Sequence, residues 1–252
     1  MEPQYPQPPS EPVTAEPPPP RQRWGLGDFL VGLFGGYALA TLIAGLWYAV
    51  TGDEELDLLG QGVSQAGLWT GMVGATVMAS RNKGTGRLRD DFGFRFRWSD
   101  LGVGVLVAVG VQLLLLPAIG LLLRPLLGEP EVSGPVQDLL EKSKGPAFLG
   151  LVLSVAVGAP IVEELFFRGL LLRSLQKRRV PTALAVFLAA AAFGLAHGSA
   201  LPIDAVVLVM VSLTVFGAVL AVLAIRTGRL GASIVAHAAF NLFTLLYLTF
   251  TG

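Results

Sequence analysis

Six polar side chains of this 252-residue chain have types and spacings that could share one reaction. Glu163, Glu164 and Arg168 stand close together in a hydrophobic run that begins near Ala147 and continues past Leu172. The only two histidines, His197 and His237, lie in later apolar runs, and Asn241 follows His237 by four residues. A charge in the middle of a membrane-type helix costs roughly 2.5–3.5 kcal/mol on insertion scales, so such residues normally face a protein interior or a water-filled cavity and serve function. On a helix, Glu164 and Arg168 at i and i+4 share a face and can pair. Glu163 is turned by about 100° from Glu164. One acid can therefore be locked by arginine while its neighbour is free to act. Phe193 and His197 repeat the i, i+4 spacing, which lets the phenyl ring pack under the imidazole. His237 and Asn241 repeat it again and present two hydrogen-bonding groups on one face.

A carboxylate beside a neutral histidine can take a proton from water. A second histidine with an asparagine can donate hydrogen bonds to a developing oxyanion. Together these are the parts for amide hydrolysis by an activated water. The chain has no cysteine and no G-x-S-x-G elbow, so a water nucleophile is favoured over a covalent enzyme intermediate.

The elements that must position these groups are membrane helices. The chain is 53% hydrophobic and 14% charged, with a mean hydropathy of +0.64, against about 25% charged residues in a typical soluble domain. The expected fold is all-α: a polytopic membrane helical bundle of about seven transmembrane helices. The spans fall at roughly 26–50, 61–80, 101–123, 147–172, 181–197, 205–225 and 231–250, each near the ~20 residues a bilayer requires. The second is the most dilute, with Gln61, Ser64, Gln65 and Thr70, and is expected to face protein or a cavity. Residues 1–23 hold nine of the seventeen prolines, a composition that cannot form a core. The expected organisation is a disordered Pro-rich cytoplasmic tail over 1–24 and a membrane-embedded domain over 25–252, with its motif-bearing core at about 147–250. No cleavable signal peptide is evident, because the first apolar run starts late and is too long.

Charge sets the expected orientation. Fourteen of the eighteen basic residues fall before the first span or in the loops after the second, fourth and sixth. The alternate loops carry most of the acids. The positive-inside rule then places the N-terminus in the cytoplasm and the C-terminus outside, in the cell membrane. The segment Phe92–Trp98 alternates aromatics with Arg95 and Arg97 and suits the cytoplasmic interface. Gly32 and Gly36 form a G-x-x-x-G pair that could permit close helix contact. Pro160, after Gly158 and Ala159, should kink the fourth span and free carbonyls that need partners. The basic residues sit beside apolar spans, where topology explains them, and nothing indicates nucleic-acid binding.

Depth can be checked. Glu164 and His197 each lie ~20–24 Å from the turn at Lys177–Pro181, at ~1.5 Å per residue, so they can face each other. His237 is only about 9 Å from its own turn. For all groups to meet, the hairpin of spans four and five must protrude further at the basic end, with the site opening to the cytoplasmic side.

The ordered set Glu163-Glu164-x-x-x-Arg168, Phe193-x-x-x-His197 and His237-x-x-x-Asn241 resembles the CPBP family of intramembrane proteases. This family includes type II CAAX prenyl proteases and bacteriocin-processing or self-immunity proteins. The resemblance covers about 147–250. It implies that Glu163 and His197 activate the water, that Glu164 and Arg168 support and orient them, and that His237 and Asn241 form the oxyanion site. It implies a peptide or membrane-protein substrate within the lipid bilayer. A non-catalytic scaffold or immunity protein of the same fold is the alternative. A proton-coupled transporter is disfavoured, since no internal repeat is found and the polar groups all lie in the C-terminal half. As to cofactors, either none or Zn²⁺ is expected. Glu163, His197 and His237 could ligate the metal. H-E-x-x-H is absent, and a metal-free mechanism, which is favoured, uses the same residues.

Overall fold

The computed structural model describes residues 22–53, 55–128, 130, 132–197 and 203–251. The described residues form helices and connecting turns, with no strand among them. The helices are α1 (Leu26–Thr51), α2 (Leu58–Lys83), the short α3 (Leu88–Phe92), α4 (Ser99–Leu127), α5 (Gly134–Lys142), α6 (Pro146–Lys177), α7 (Thr182–Ala196), α8 (Ile203–Thr227) and α9 (Gly231–Thr251). Five of them, α1, α4, α6, α8 and α9, are long and apolar enough to cross a membrane. The expected second span, α2, is long but too polar to join them, in keeping with its glutamines and serines. The expected fifth, α7, is apolar but only 15 residues long.

The bundle is built from three packed pairs, α1 with α2, α4 with α9, and α7 with α8, gathered round α6. The core of α6, Glu164–Leu172, touches α1, α2, α3, α7 and α8, and every residue of that stretch is buried. Phe166 stacks on Phe29 at 4.6 Å between ring centres, and Phe167 meets Phe193 edge-on at 5.4 Å. Such pairs add to the area that the rings bury.

The outer surface is that of a lipid-facing protein. On α1 the buried positions include Gly32 and Gly36, while Val31, Phe34, Leu42 and Leu46 are exposed. Lipid tails are as apolar as leucine, so large side chains gain little by facing inward, and small residues let backbones approach. The Gly32–Gly36 pair is used in this way. A Cβ on Gly36 would lie 2.7 Å from the Leu68 carbonyl oxygen, and one on Gly71 would strike the Gly36 backbone. Gly71→Ala should therefore lower stability by on the order of 1–3 kcal/mol through overpacking. Gly74→Ala, with nothing within 4 Å, should not. Thermal unfolding of the two variants in one detergent separates the cases, and equal loss would refute the close-contact account.

Of the expected tail, residues 1–21 lie outside the described residues. Gln22–Trp24 are tied to the bundle. The Arg23 N–H donates to the Lys83 carbonyl at 2.6 Å, and Lys177 Nζ donates to the Gln22 and Trp24 carbonyls at 2.9 and 2.7 Å. The Trp24 indole is buried, with Lys177 Nζ 3.6 Å from its ring centre.

Candidate active site

Helix α6 carries three of the six groups, and its backbone is locally unusual. The helix widens into π turns at Ser154–Gly158 and again at Glu164–Leu172. In the first, the Ala159 N–H donates to the Ser154 carbonyl, five residues back. The next carbonyl in that register, that of Val155, would need the N–H that Pro160 lacks. Asn241 Nδ2 donates to it instead, at 2.7 Å. The kink expected at Pro160 is thus a widened turn, and the freed carbonyl is satisfied from α9. Pi turns of this kind are frequent at functional sites.

One turn on, the Arg168 guanidinium donates from Nη1 to Glu164 Oε1 at 2.8 Å and from Nη2 to the Gly217 carbonyl at 3.1 Å. Both side chains of the pair are fully buried. Arg168 also lies 4.4 Å from the centre of the Phe193 ring, a desolvated cation–π contact. Glu164 Oε1 meets His237 Nδ1 at 3.1 Å. A carboxylate oxygen accepts, so Nδ1 carries the proton and Nε2 faces away from Glu164. His237 Nε2 lies 3.8 Å from Glu163 Oε2, and His197 Nε2 lies 3.7 Å from the same oxygen. His197 holds its own orientation by Nδ1 donating to the Phe193 carbonyl at 2.8 Å, with the Phe193 ring 4.6 Å from the imidazole. Phe193 and Phe216 flank His237 edge-on, each at 5.6 Å. The structure thus brings Glu163, Glu164, Arg168, His197 and His237 into one cluster, with Asn241 one turn along α9.

Two placements differ from the sequence expectation. His197 is not inside a span but at the C-terminal cap of α7, and residues 198–202, which follow, lie outside the described residues. The site also does not open to the basic end. Glu163 lines a cavity of about 650 Å³ whose other walls include Asp57, Gln61 and Gln65 of α2, Leu139 of α5 and Ala147 of α6. These residues belong to the acidic end. The basic end is closed by chain. The Leu230 and Gly231 N–H groups donate to the Gly93 and Arg95 carbonyls at 2.9 and 3.0 Å. That contact also resolves the depth problem, because it seats the start of α9 beneath the 93–97 segment. Arg173 of α6 reaches the Gly228 carbonyl at 3.3 Å, so α6 continues past the α8–α9 turn and brings Glu164 level with His237.

Residues 145–243 match the model of a family described as Type II CAAX prenyl endopeptidase Rce1-like. The motif-bearing segment is similar to that family. It spans all of α6, α7 and α8 and the first part of α9, and it contains all six candidate residues. This agrees with the resemblance to the CPBP family carried by the motifs. No curated protein and no solved structure matched the chain.

In the Rce1-like segment Glu163 Oε2 is buried and has no hydrogen-bond partner among the described residues. Two histidine nitrogens that carry no proton when neutral face it. Three lone pairs converging on one spot need a shared donor, and a water molecule supplies two O–H groups. A metal fits less well. With Zn–N and Zn–O bonds of about 2.0–2.2 Å, tetrahedral ligand atoms lie ~3.3–3.5 Å apart. The two separations from Glu163 are 3.7 and 3.8 Å. Among the described residues no group of three His, Asp or Glu side chains is arranged to hold a metal ion.

Sequence reasoning missed three supports of the Rce1-like site. Ser233, wholly buried beside Glu164, precedes His237 by four residues, so extending the His237–Asn241 spacing backwards would have found it. Tyr37 of α1 donates to the Ala196 carbonyl at 3.1 Å and steadies the end of α7. Gly217 gives Arg168 a backbone acceptor, and a Cβ there would lie 3.1 Å from Arg168 Nη2. No local pattern marks either of these.

Proposed function

We propose that this protein is an intramembrane endopeptidase that hydrolyses a peptide bond of a membrane-associated or peptide substrate with a water activated by Glu163 and His197. The observation that carries this reading is the convergence of His197 Nε2 and His237 Nε2 on the unpartnered Glu163 Oε2 at the wall of a large cavity. The family description, an endopeptidase, supports it.

Glu163 takes a proton from a water that His197 Nε2 holds by accepting its second O–H. The hydroxide adds to the scissile carbonyl. His237, braced through Nδ1 by the Glu164 carboxylate, takes up a second proton from solvent at Nε2 as the substrate enters, and that N–H donates to the oxyanion. Arg168 holds Glu164 in place. Asn241 fixes the widened turn that precedes Glu163 on α6 and keeps a second amide N–H for the oxyanion. When the C–N bond breaks, Glu163 returns the proton to the departing amine, which closes the proton balance. The acidic end of the cavity faces outward and the N-terminus inward if the basic loops are cytoplasmic.

The test is digestion of a quenched peptide library by the full chain in detergent, beside His197→Ala, with and without a chelator. Wild-type cleavage that is lost in the variant and unchanged by chelation is expected. Cleavage that survives His197→Ala would remove the water-activating role, and cleavage abolished by chelation would assign the water to a metal.

A further inference from the structure

The basic end of the bundle carries a second built feature. Arg89, Arg95, Arg97 and Arg229 line a cavity of about 330 Å³, together with Phe94, Phe96 and Thr227, and no carboxylate is in the lining. Behind it, Asp100 is occupied by Arg229, whose Nε donates at 3.0 Å to Oδ2 and whose Nη2 donates at 2.5 Å to Oδ1. Like charges gathered round one hollow repel unless an anion joins them. Guanidinium groups match phosphate oxygens in geometry as well as charge.

The hollow is held in shape by the backbone. Its wall, the 93–97 segment, receives hydrogen bonds from Leu230 and Gly231, and the Arg97 N–H donates to Asp100 Oδ2 at 2.8 Å. Its rim is greasy. Phe96 is 51% and Trp98 82% exposed, on a segment that alternates aromatics with arginines. Aromatic rings of that kind sit at the headgroup level of a bilayer. Basic pockets between transmembrane helices at a membrane surface bind anionic headgroups.

We propose that this hollow is a phosphate-binding site at the membrane surface that holds the headgroup of an anionic phospholipid. The arginines take the phosphate oxygens, and Phe94, Phe96 and Trp98 lie among the adjoining acyl chains. The site is on the face opposite the catalytic cavity and is independent of the proposed hydrolysis.

The experiment uses the full chain in neutral detergent micelles containing phosphatidylcholine, titrated with phosphatidylglycerol, with retained lipid counted by native mass spectrometry. Arg89 and Arg97 make no side-chain hydrogen bond among the described residues, so R89Q/R97Q removes two charges without cutting a strut; thermal unfolding checks its fold. The wild type should retain phosphatidylglycerol over phosphatidylcholine. R89Q/R97Q should bind it about thirtyfold more weakly, at about 1 kcal/mol per surface cation. R89K/R97K, which keeps both charges, should retain most of the binding. No preference in the wild type, equal retention by R89Q/R97Q, or equal loss in both double variants would overturn the proposal. Displacement of the lipid by an equal concentration of inorganic phosphate would assign the site to a soluble phosphate and overturn the lipid as its source.

Discussion

Glu163→Gln should lower the rate of peptide cleavage by about 10²–10⁴-fold, the usual contribution of a general acid–base group, and should leave the fold intact. The amide is isosteric with the carboxylate and keeps a buried polar atom facing His197 and His237, but it has no lone pair basic enough to take a proton from water. Because Glu163 makes no hydrogen bond through Oε2 to any described residue, its replacement breaks no structural contact there. Thermal unfolding should move little while the catalytic rate collapses. The split between the two readouts is the discriminating result. Full activity in Glu163→Gln would sink the base assignment. A variant that loses stability and activity together would place Glu163 among the structural groups.

Arg168→Met should have the opposite signature. Both members of the Arg168–Glu164 pair are fully buried. Removing one partner of a buried pair strands the other charge and typically costs about 3–5 kcal/mol. The methionine fills much of the volume and cannot reach the Gly217 carbonyl, which loses its donor as well. The double variant E164Q/R168M should recover part of the stability, because no uncompensated charge is left. It should not recover cleavage, because His237 then has a neutral amide on Nδ1 in place of a carboxylate. Chemical or thermal unfolding in a single detergent reads the first effect and the peptide assay the second. A loss below about 1 kcal/mol for Arg168→Met would mean that the pair is no more than a surface-type bridge. Arg168→Lys is not conservative here. An ammonium lacks the fork that spans Glu164 and Gly217 together.

The cluster was legible in the sequence because desolvation makes it so. Charges and histidines inside apolar runs are expensive, and each of Glu163, Glu164, Arg168, His197 and His237 occupies such a place. The i, i+4 spacing then foretold the Glu164–Arg168 pair and the packing of Phe193 against His197. The tertiary consequences were not legible. That Asn241 would reach Val155 depends on a π register that α6 adopts only in its packed surroundings, although Pro160 signalled a carbonyl in need. The direction in which the cavity opens turned on the 93–97 segment closing over Leu230 and Gly231, a pairing of residues distant in sequence with no local pattern. Trp24 fell at the edge of a proline-rich stretch, and only the approach of Lys177 from α6 shows that the packed chain begins before it. Composition placed α2 and α7 correctly as helices. The glutamines and serines of α2 marked it as the span least suited to lipid, but nothing in composition said that α7 would stop short.

That early stop has a consequence for the surrounding membrane. Fifteen residues of α7 span about 22 Å, against about 30 Å of hydrocarbon. Such hydrophobic mismatch is met by thinning of the bilayer beside the short helix or by its neighbours bridging the gap. The catalytic histidine of the proposed mechanism caps this short helix, so thinning there would fall beside the reacting groups. The bilayer itself therefore becomes part of the entry path. Where the bilayer thins, headgroups and water would come down toward His197, and a substrate segment would not have to leave the lipid entirely to reach it. For the proposed protease, the thickness of the host membrane would then set how far a scissile bond must travel, and lipid chain length would bear on substrate choice alongside the side chains that line the cavity.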